Sequence, residues 1–263
     1  MKRALLFVND TKPDAVSDFE KADDYLKHLG WDTTRIPVNE PEGGYDFGLA
    51  FGGDGTFLWA ADIFSSIGIP MAGINTGHLG FLTTIDSSEI EKSIDKIIAG
   101  EYVTEECMML DVYDQVSGEY MGKALNDVVF KNKMEHSVGR FVISVNGMKI
   151  YEISADGVII SAPTGSTAYV LSMGGPIVDT TCRLMIIQPI AAHTLNSRAV
   201  VINENDEVSV GFDVGPTSIS RDGRLIEPSN GIYTIKKSRS VTRVMRFQDY
   251  NFYKIVSEKL SRG

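Results

Sequence analysis

An α/β domain with a parallel sheet over about residues 1–100, followed by a β-rich, sandwich-like domain over about residues 101–240, is the fold the sequence predicts. Three observations predict it. Up to Gly100, apolar runs of strand length alternate with segments of helical periodicity, the pattern of strands joined by crossover helices. After Gly100 short apolar runs are separated by two-residue turn pairs, the pattern of antiparallel hairpins. A chain of 263 residues that is 43% hydrophobic is also large enough to bury two cores.

The elements follow in order. Ala4–Val8 is a buried strand. From Asp14 onward Val16, Phe19, Ala22, Tyr25 and Leu26 recur at helical spacing, and Gly30 ends the helix. Trp31–Val38 and Asp46–Phe51 are further strands, the latter running straight into Gly52-Gly53-Asp54-Gly55-Thr56. Phe57–Ile67 has helical spacing and is closed by Gly68, and Ile69–Ile74 is the next strand. Ser87 is placed to cap a helix through Ala99, with Ile90, Ile94, Ile97 and Ile98 on one face. In the second domain Asn146-Gly147 joins Phe141–Val145 to Met148–Ile153, and Asp222-Gly223 joins Thr217–Arg221 to Arg224–Glu227. Val200–Ile202, Val208–Phe212, Gly231–Ile235 and Arg243–Phe247 add short strands. Asn251–Leu260 reads as a short helix, and the tail, residues 241–263, is expected to return to the first domain.

Charge and composition exclude several classes. A net charge of -10 argues against nucleic acid as partner, because phosphate backbones are bound by basic surfaces. Any polyphosphate site in so acidic a chain must rely on backbone N–H groups, local Lys or Arg, and metal ions. Met1-Lys2-Arg3 followed by Ala4–Val8 resembles the start of a signal peptide, but the apolar run is too short. No stretch is apolar enough to span a bilayer. Cys107 and Cys182 are far apart without metal-ligand spacing, and buried free thiols in a reducing cytoplasm are expected.

Five segments carry chemistry. Gly52-Gly53-Asp54-Gly55-Thr56 ends a strand and opens a helix, where close backbone approach and exposed N–H groups favour phosphate. A carboxylate among phosphates is out of place there, so Asp54 is a general base or a ligand to metal-bound water; the bland alternative is that it caps the helix. The loop Gly73–Thr83 follows the next strand at the same sheet edge, and its His78 reads as structural. Leu125-Asn126-Asp127 offers a donor, an acceptor and a carboxylate, but adjacent strand residues reach one ligand only if the strand ends or bends there. Ala155 to Ser172 runs from a strand into a cluster of small and hydroxyl residues and then a helix through Leu171, with Tyr169 able to stack on a base. The last segment, Gln188 to Arg198, names no chemistry by its spacing, and its His193 reads as structural.

In this order the segments resemble the NAD kinase family: Gly52-Gly53-Asp54-Gly55-Thr56, Gly73–Thr83, Leu125-Asn126-Asp127, Pro163-Thr164-Gly165-Ser166-Thr167-Ala168-Tyr169 and His193-Thr194-Leu195. The first motif has close relatives in lipid kinases and phosphofructokinases, whereas the Thr-Gly-Ser-Thr-Ala-Tyr stretch is far more specific. The resemblance implies a Rossmann-like first domain and transfer of a phosphoryl group from ATP, another nucleoside triphosphate or polyphosphate to the adenosine 2′-hydroxyl of NAD. It implies Asp54 as general base, with Gly55 beside the same ribose, and Gly52, Gly53, Gly55 and Thr56 as the phosphate loop. It further implies Asn126 and Asp127 on the ribose hydroxyls or adenine, and Thr167 and Ala168 on the adenine. Asp156, Tyr169 and Ser172 would line the nicotinamide end, with Ala191 packing near the ligand. Mg²⁺ or another divalent cation would arrive with the triphosphate rather than in a protein cage. Assembly as a homodimer or homotetramer, with the NAD site shared between subunits, is also implied. The chain departs from the family where Asp127 replaces the Glu of many relatives, where Ser154 stands in place of the Arg of some relatives, and at Arg198-Ala199, where Arg-Pro is usual. A lipid or sugar kinase and a non-catalytic dinucleotide sensor stand as the alternatives.

Overall fold

The computed structural model describes residues 2–36, 43–77, 80–133, 137–194, 197–212, 217–227 and 231–261. His78 and Leu195 of the motifs above lie outside the described residues. The chain opens with β1 (Arg3–Val8), α1 (Pro13–His28), β2 (Asp32–Ile36), β3 (Phe47–Phe51), α2 (Asp54–Ile67) and β4 (Pro70–Asn75). The two-residue strand β5 (Ile85–Asp86) and α3 (Ile90–Ala99) follow. Then come β6 (Val103–Asp114), β7 (Tyr120–Ala124), β8 (Asp127–Asn132), β9 (Gly139–Val145), β10 (Met148–Ala155) and β11 (Gly157–Ser161). After a 3₁₀ turn, Pro163–Thr167, come α4 (Tyr169–Ser172), β12 (Leu184–Ile190), β13 (Val200–Asn203) and β14 (Val208–Phe212). The chain ends with β15 (Thr217–Arg221), β16 (Arg224–Ile226), β17 (Ile232–Arg246) and α5 (Phe252–Leu260).

Two units emerge: Met1–Glu106 with Thr242–Gly263, and Cys107–Val241. In the first, β1 to β4 form a parallel sheet in the order β2-β1-β3-β4, with Arg243 and Val244 pairing in parallel with Pro70 and Met71 of β4. Strand alternation sorts the two faces of β3. Phe47, Leu49 and Phe51 join a core with Phe19, Ala22 and Leu26 of α1 and Ile90, Ile94 and Ile97 of α3. Gly48 lies between them in sequence and meets the ring of Phe64 from α2 instead. The sheet order reverses direction between β1 and β3, and the carboxyl ends of those two strands are where such sheets bind ligands.

The second unit is β-rich. Its six-stranded antiparallel sheet runs β13-β12-β11-β8-β15-β16, and β10, β9, β14 and the first part of β17 form another antiparallel run. One apolar core takes Phe130, Val158, Ile187 and Ile219 from the first sheet and Phe141, Val210 and Tyr233 from the second, which is the packing of a sandwich. Both predicted hairpins are present, with positive φ at Asn146 and Gly147 and at Asp222 and Gly223.

Several expectations change. α2 begins at Asp54 rather than Phe57. Asp86, not Ser87, caps the segment before α3: its carboxylate accepts from the Ser88 N–H at 2.9 Å, and a 3₁₀ turn precedes the helix. The two strands expected at Gly231–Ile235 and Arg243–Phe247 are one, β17, in which Ser238 and Thr242 occupy buried positions that an apolar pattern would not reveal. The helix expected through Leu171 is interrupted at Ala168 (φ -103°, ψ -122°), so that a 3₁₀ turn, Pro163–Thr167, and the short α4 stand in its place. Strands β5, β6, β7 and β12 lie outside the strands that the sequence predicts. Cys107 is buried as expected but Cys182 is half-buried; neither is in a disulfide. No described helix is long and apolar enough to cross a membrane.

Candidate active site

The first unit places Gly52–Thr56 at the carboxyl end of β3, as its parallel topology requires. Gly52 has φ +147°, and a Cβ there would strike the Thr56 side chain, so the tight passage from strand to helix needs glycine. Gly53 is the N-cap of α2, and no side chain caps the helix. Asp54 therefore does not play the capping role that its position allows. Its carboxylate reaches the other loop instead. Oδ1 accepts from the Leu82 N–H (3.2 Å), the Thr83 N–H (3.0 Å) and the Thr83 hydroxyl (3.0 Å). Among the described residues Oδ2 accepts from the Phe81 N–H alone, at 2.9 Å, which leaves its second lone pair open to another donor there. The predicted neighbourhood of the two glycine-rich loops is thus a direct clamp on one carboxylate.

Gly80 makes the clamp possible. A Cβ built there would collide with the Asp54 carboxylate and with the Thr83 hydroxyl. Gly80→Ala is expected to lower kcat by about tenfold or more through displacement of Asp54, because misplacements on the ångström scale cost up to ~10²-fold. Circular dichroism and steady-state kinetics check it: an active variant with unchanged kcat would show that the clamp is dispensable. Beside the clamp, a cleft of about 370 Å³ opens among Thr11, Lys12, Gly53, Asn75, Thr76 and Gly77, at the ends of β1, β3 and β4. Lys12 has no ion-pair partner among the described residues, and its Nζ would be 3.7 Å from a Cβ placed on Gly53. The sequence reading missed Lys12; its signal was a lone cation directly after β1 in an acidic chain.

In the second unit the chain bends at Leu125-Asn126, just before β8, as the one-ligand reading of Asn126 and Asp127 demands. The bend is tied down from two sides. Asp222 accepts the Leu125, Asn126 and Asp127 N–H groups at 2.7, 2.8 and 3.2 Å. On the other side the Ser161 hydroxyl and the Ala162 N–H donate to the Asn126 carbonyl at 3.1 and 2.9 Å, and the Thr164 hydroxyl donates to the Leu125 carbonyl. The Leu125-Asn126-Asp127 and Pro163–Tyr169 motifs are therefore brought together. Asn126 Oδ1 is buried and has no hydrogen-bond partner among the described residues. Burial pushes the Asp127 carboxyl up to about 7, and the Asp222 charge adds to the effect. Burial also raises Asp222, against the opposing pull of its three backbone donors and Arg224.

The remaining predicted residues cluster less tightly. Thr167, Ala168 and Tyr169 are half-buried and Ser172 is exposed, at the 3₁₀ turn and α4. Asp156 sits between β10 and β11, where its N–H donates to the Ile190 carbonyl at 3.0 Å and so lies beside the Ala191 turn. Ala191 has φ +44°, an uncommon conformation for alanine and one found at functional sites. His193 is exposed, and its backbone N–H donates to the Ser154 carbonyl at 2.9 Å. No cluster of metal-binding side chains occurs among the described residues.

A glycine loop that opens a helix at a sheet's switch point marks a phosphate-handling α/β protein. Residues 3–102 match the ATP-NAD kinase N-terminal domain, and residues 125–247 match the ATP-NAD kinase C-terminal domain. The NAD kinase of Caldanaerobacter subterraneus subsp. tengcongensis is 38% identical over 240 residues, 89% of this chain and 84% of the relative. That of Aquifex aeolicus is 34% identical over the full length of both chains. Among solved structures, yeast NADH kinase complexed with NADH aligns over 99% of this chain and 88% of its own at 19% identity, with a TM-score of 0.87. An NAD kinase from Archaeoglobus fulgidus in complex with ATP aligns over 99% of both chains at 23% identity, with a TM-score of 0.82. The chain belongs to the NAD kinase family.

Proposed function

We propose that the chain transfers the terminal phosphoryl group of ATP to the adenosine 2′-hydroxyl of NAD, giving NADP. The observation that carries this is the Asp54 carboxylate, which among the described residues is fixed by four hydrogen bonds with one lone pair of Oδ2 uncommitted. A ribose hydroxyl is a weak nucleophile until a base removes its proton as the P–O bond forms. In-line phosphoryl transfer otherwise needs positioning and charge neutralisation. The loop of Gly52, Gly53, Gly55 and Thr56, with Lys12 beside it, supports the donor phosphates. Asn126 and Asp127 hold the dinucleotide, Thr167 and Ala168 meet its adenine, and Asp156, Tyr169, Ser172 and Ala191 line the rest of its path. A divalent cation, Mg²⁺ by preference, neutralises the triphosphate and is held by it. A homodimeric or homotetrameric assembly, polyphosphate as a further donor and a cytoplasmic location are part of the same reading.

Product analysis with Mg-ATP and NAD, diacylglycerol or fructose 6-phosphate tests the reading. NADP as the sole phosphorylated product supports it, and product from either of the others, or none from NAD, overturns it. Lys12→Ala is expected to raise the KM for ATP about tenfold, the loss of one charge-assisted phosphate contact, with the KM for NAD unchanged. Equal KM values for ATP in the two proteins would remove Lys12 from the donor site.

A further inference from the structure

The hairpin turn that carries Asp222 does more than reverse the chain. Three consecutive backbone N–H groups, those of Leu125, Asn126 and Asp127, converge on its carboxylate, which is only 7% exposed. Consecutive N–H groups in a strand point alternately to opposite sides, so this convergence exists only because the chain bends there. A bend of this kind is a small anion-binding nest, and here the anion belongs to the protein. The Asp222 N–H donates back to the Asp127 carbonyl at 3.0 Å, which closes the contact in both directions. Asp222 itself has φ +47°, a conformation that costs free energy in any residue but glycine and that Asp tolerates better than most. Among the described residues Asn126 meanwhile keeps a buried, unpartnered Oδ1, and Asp127 presents a carboxyl with no hydrogen-bond donor. Buried polar groups left unpaired are costly and are retained where a ligand completes them.

We propose that Asp222 is a positioning residue for dinucleotide binding: its carboxylate fixes the Leu125–Asp127 bend that presents Asn126 and Asp127 together. The inference rests on the function proposed above and goes beyond it, because Asp222 touches the binding residues and not the substrate. It acts through backbone geometry and, secondarily, through its charge on Asp127; Arg224 of β16 is the cation acting on Asp222 in turn.

The test is steady-state kinetics and calorimetry on the full chain, with NAD and ATP varied separately. Asp222→Ala is expected to raise the KM for NAD about tenfold or more while the KM for ATP stays unchanged. Asp222→Asn keeps an amide oxygen to accept the Asn126 and Asp127 N–H groups, so it is expected to recover most of that loss. It also removes the charge facing Asp127, so the pH midpoint of NAD affinity is expected to fall. A merely structural aspartate would reduce the active fraction and thus kcat, leaving both KM values and the midpoint in place; that pattern in either variant overturns the proposal. Should Asp222→Ala fail to fold, Asp222→Asn decides alone by its pH midpoint. A wild-type chain that neither binds nor phosphorylates NAD overturns the functional reading and this one with it, whereas normal wild-type turnover with unshifted variants overturns this one only.

Discussion

Asp54→Asn is expected to lower turnover by ~10²-fold or more, the range that removal of a general base produces, while NAD affinity stays largely intact. The geometry makes this a sharp expectation. Asparagine has the same volume, and its amide oxygen can accept the three donors that now meet Oδ1. Its amide nitrogen then stands at the Oδ2 position, facing the Phe81 N–H and unable to accept a proton. Chemistry is lost while most of the clamp survives. A second variant separates the two roles of the residue. Thr83→Ala removes one hydroxyl donor from the clamp but leaves the carboxylate, and loss of one such bond is worth only about 1 kcal/mol, below tenfold in rate. If Asp54 only braced the loop, the two variants would behave alike. Steady-state kinetics with calorimetry of NAD binding decides it, and near-normal turnover in Asp54→Asn removes Asp54 from the base role.

What was legible in the sequence was whatever local chemistry dictates. The alternation of apolar runs and helical periodicity placed β1 to β4, α1 and α2, because a covered parallel sheet needs those patterns. Asn146-Gly147 and Asp222-Gly223 fixed two hairpins, because few other residue pairs tolerate both positive φ values. The glycine loop at the end of β3 could be placed at a ligand-binding edge for the same topological reason. What could not be read was tertiary. That Asp54 is gripped by Phe81, Leu82 and Thr83 depends on how two loops meet, and Gly80 looked like an ordinary turn glycine. Asp222 carried only a turn signal; its bonds lie more than ninety positions away in sequence, at Leu125 to Asp127. Strand β17 hid behind buried Ser238 and Thr242, whose polarity broke the apolar pattern although their size fits the sheet.

Asp127→Asn is expected to stabilise the unliganded chain at pH 8 while weakening its hold on NAD. The Asp127 carboxyl is pushed up from 3.8 to about 7 by burial and by Asp222. Between those values the folded chain holds a proton that the unfolded chain has released. The stability this represents is fully present below pH 4, is lost as pH rises, and is gone above pH 7. At about 1.4 kcal/mol per unit the loss is on the order of 4 kcal/mol, or roughly 5–10 °C in melting temperature. Asparagine carries no charge to bury and gives up no hydrogen bond to the described residues of the unliganded chain, so the gap in melting temperature between variant and wild type should be wide at pH 8 and narrow towards pH 5. Ligand binding runs the other way. Ribose hydroxyls donate to an ionised carboxylate, so binding NAD below pH 7 must expel the proton, and affinity should weaken by up to about tenfold for each unit below that point. Calorimetry in buffers of different ionisation enthalpy would register the released proton. A wild-type affinity that is flat from pH 5.5 to 8 would mean that Asp127 does not meet the dinucleotide as an anion. A melting gap that is the same at both pH values would mean that its burial carries no cost. Together the two measurements ask whether this carboxylate is held at a disadvantage that its substrate relieves, which is what an acid and an amide oxygen in one bend, both unpaired among the described residues, imply.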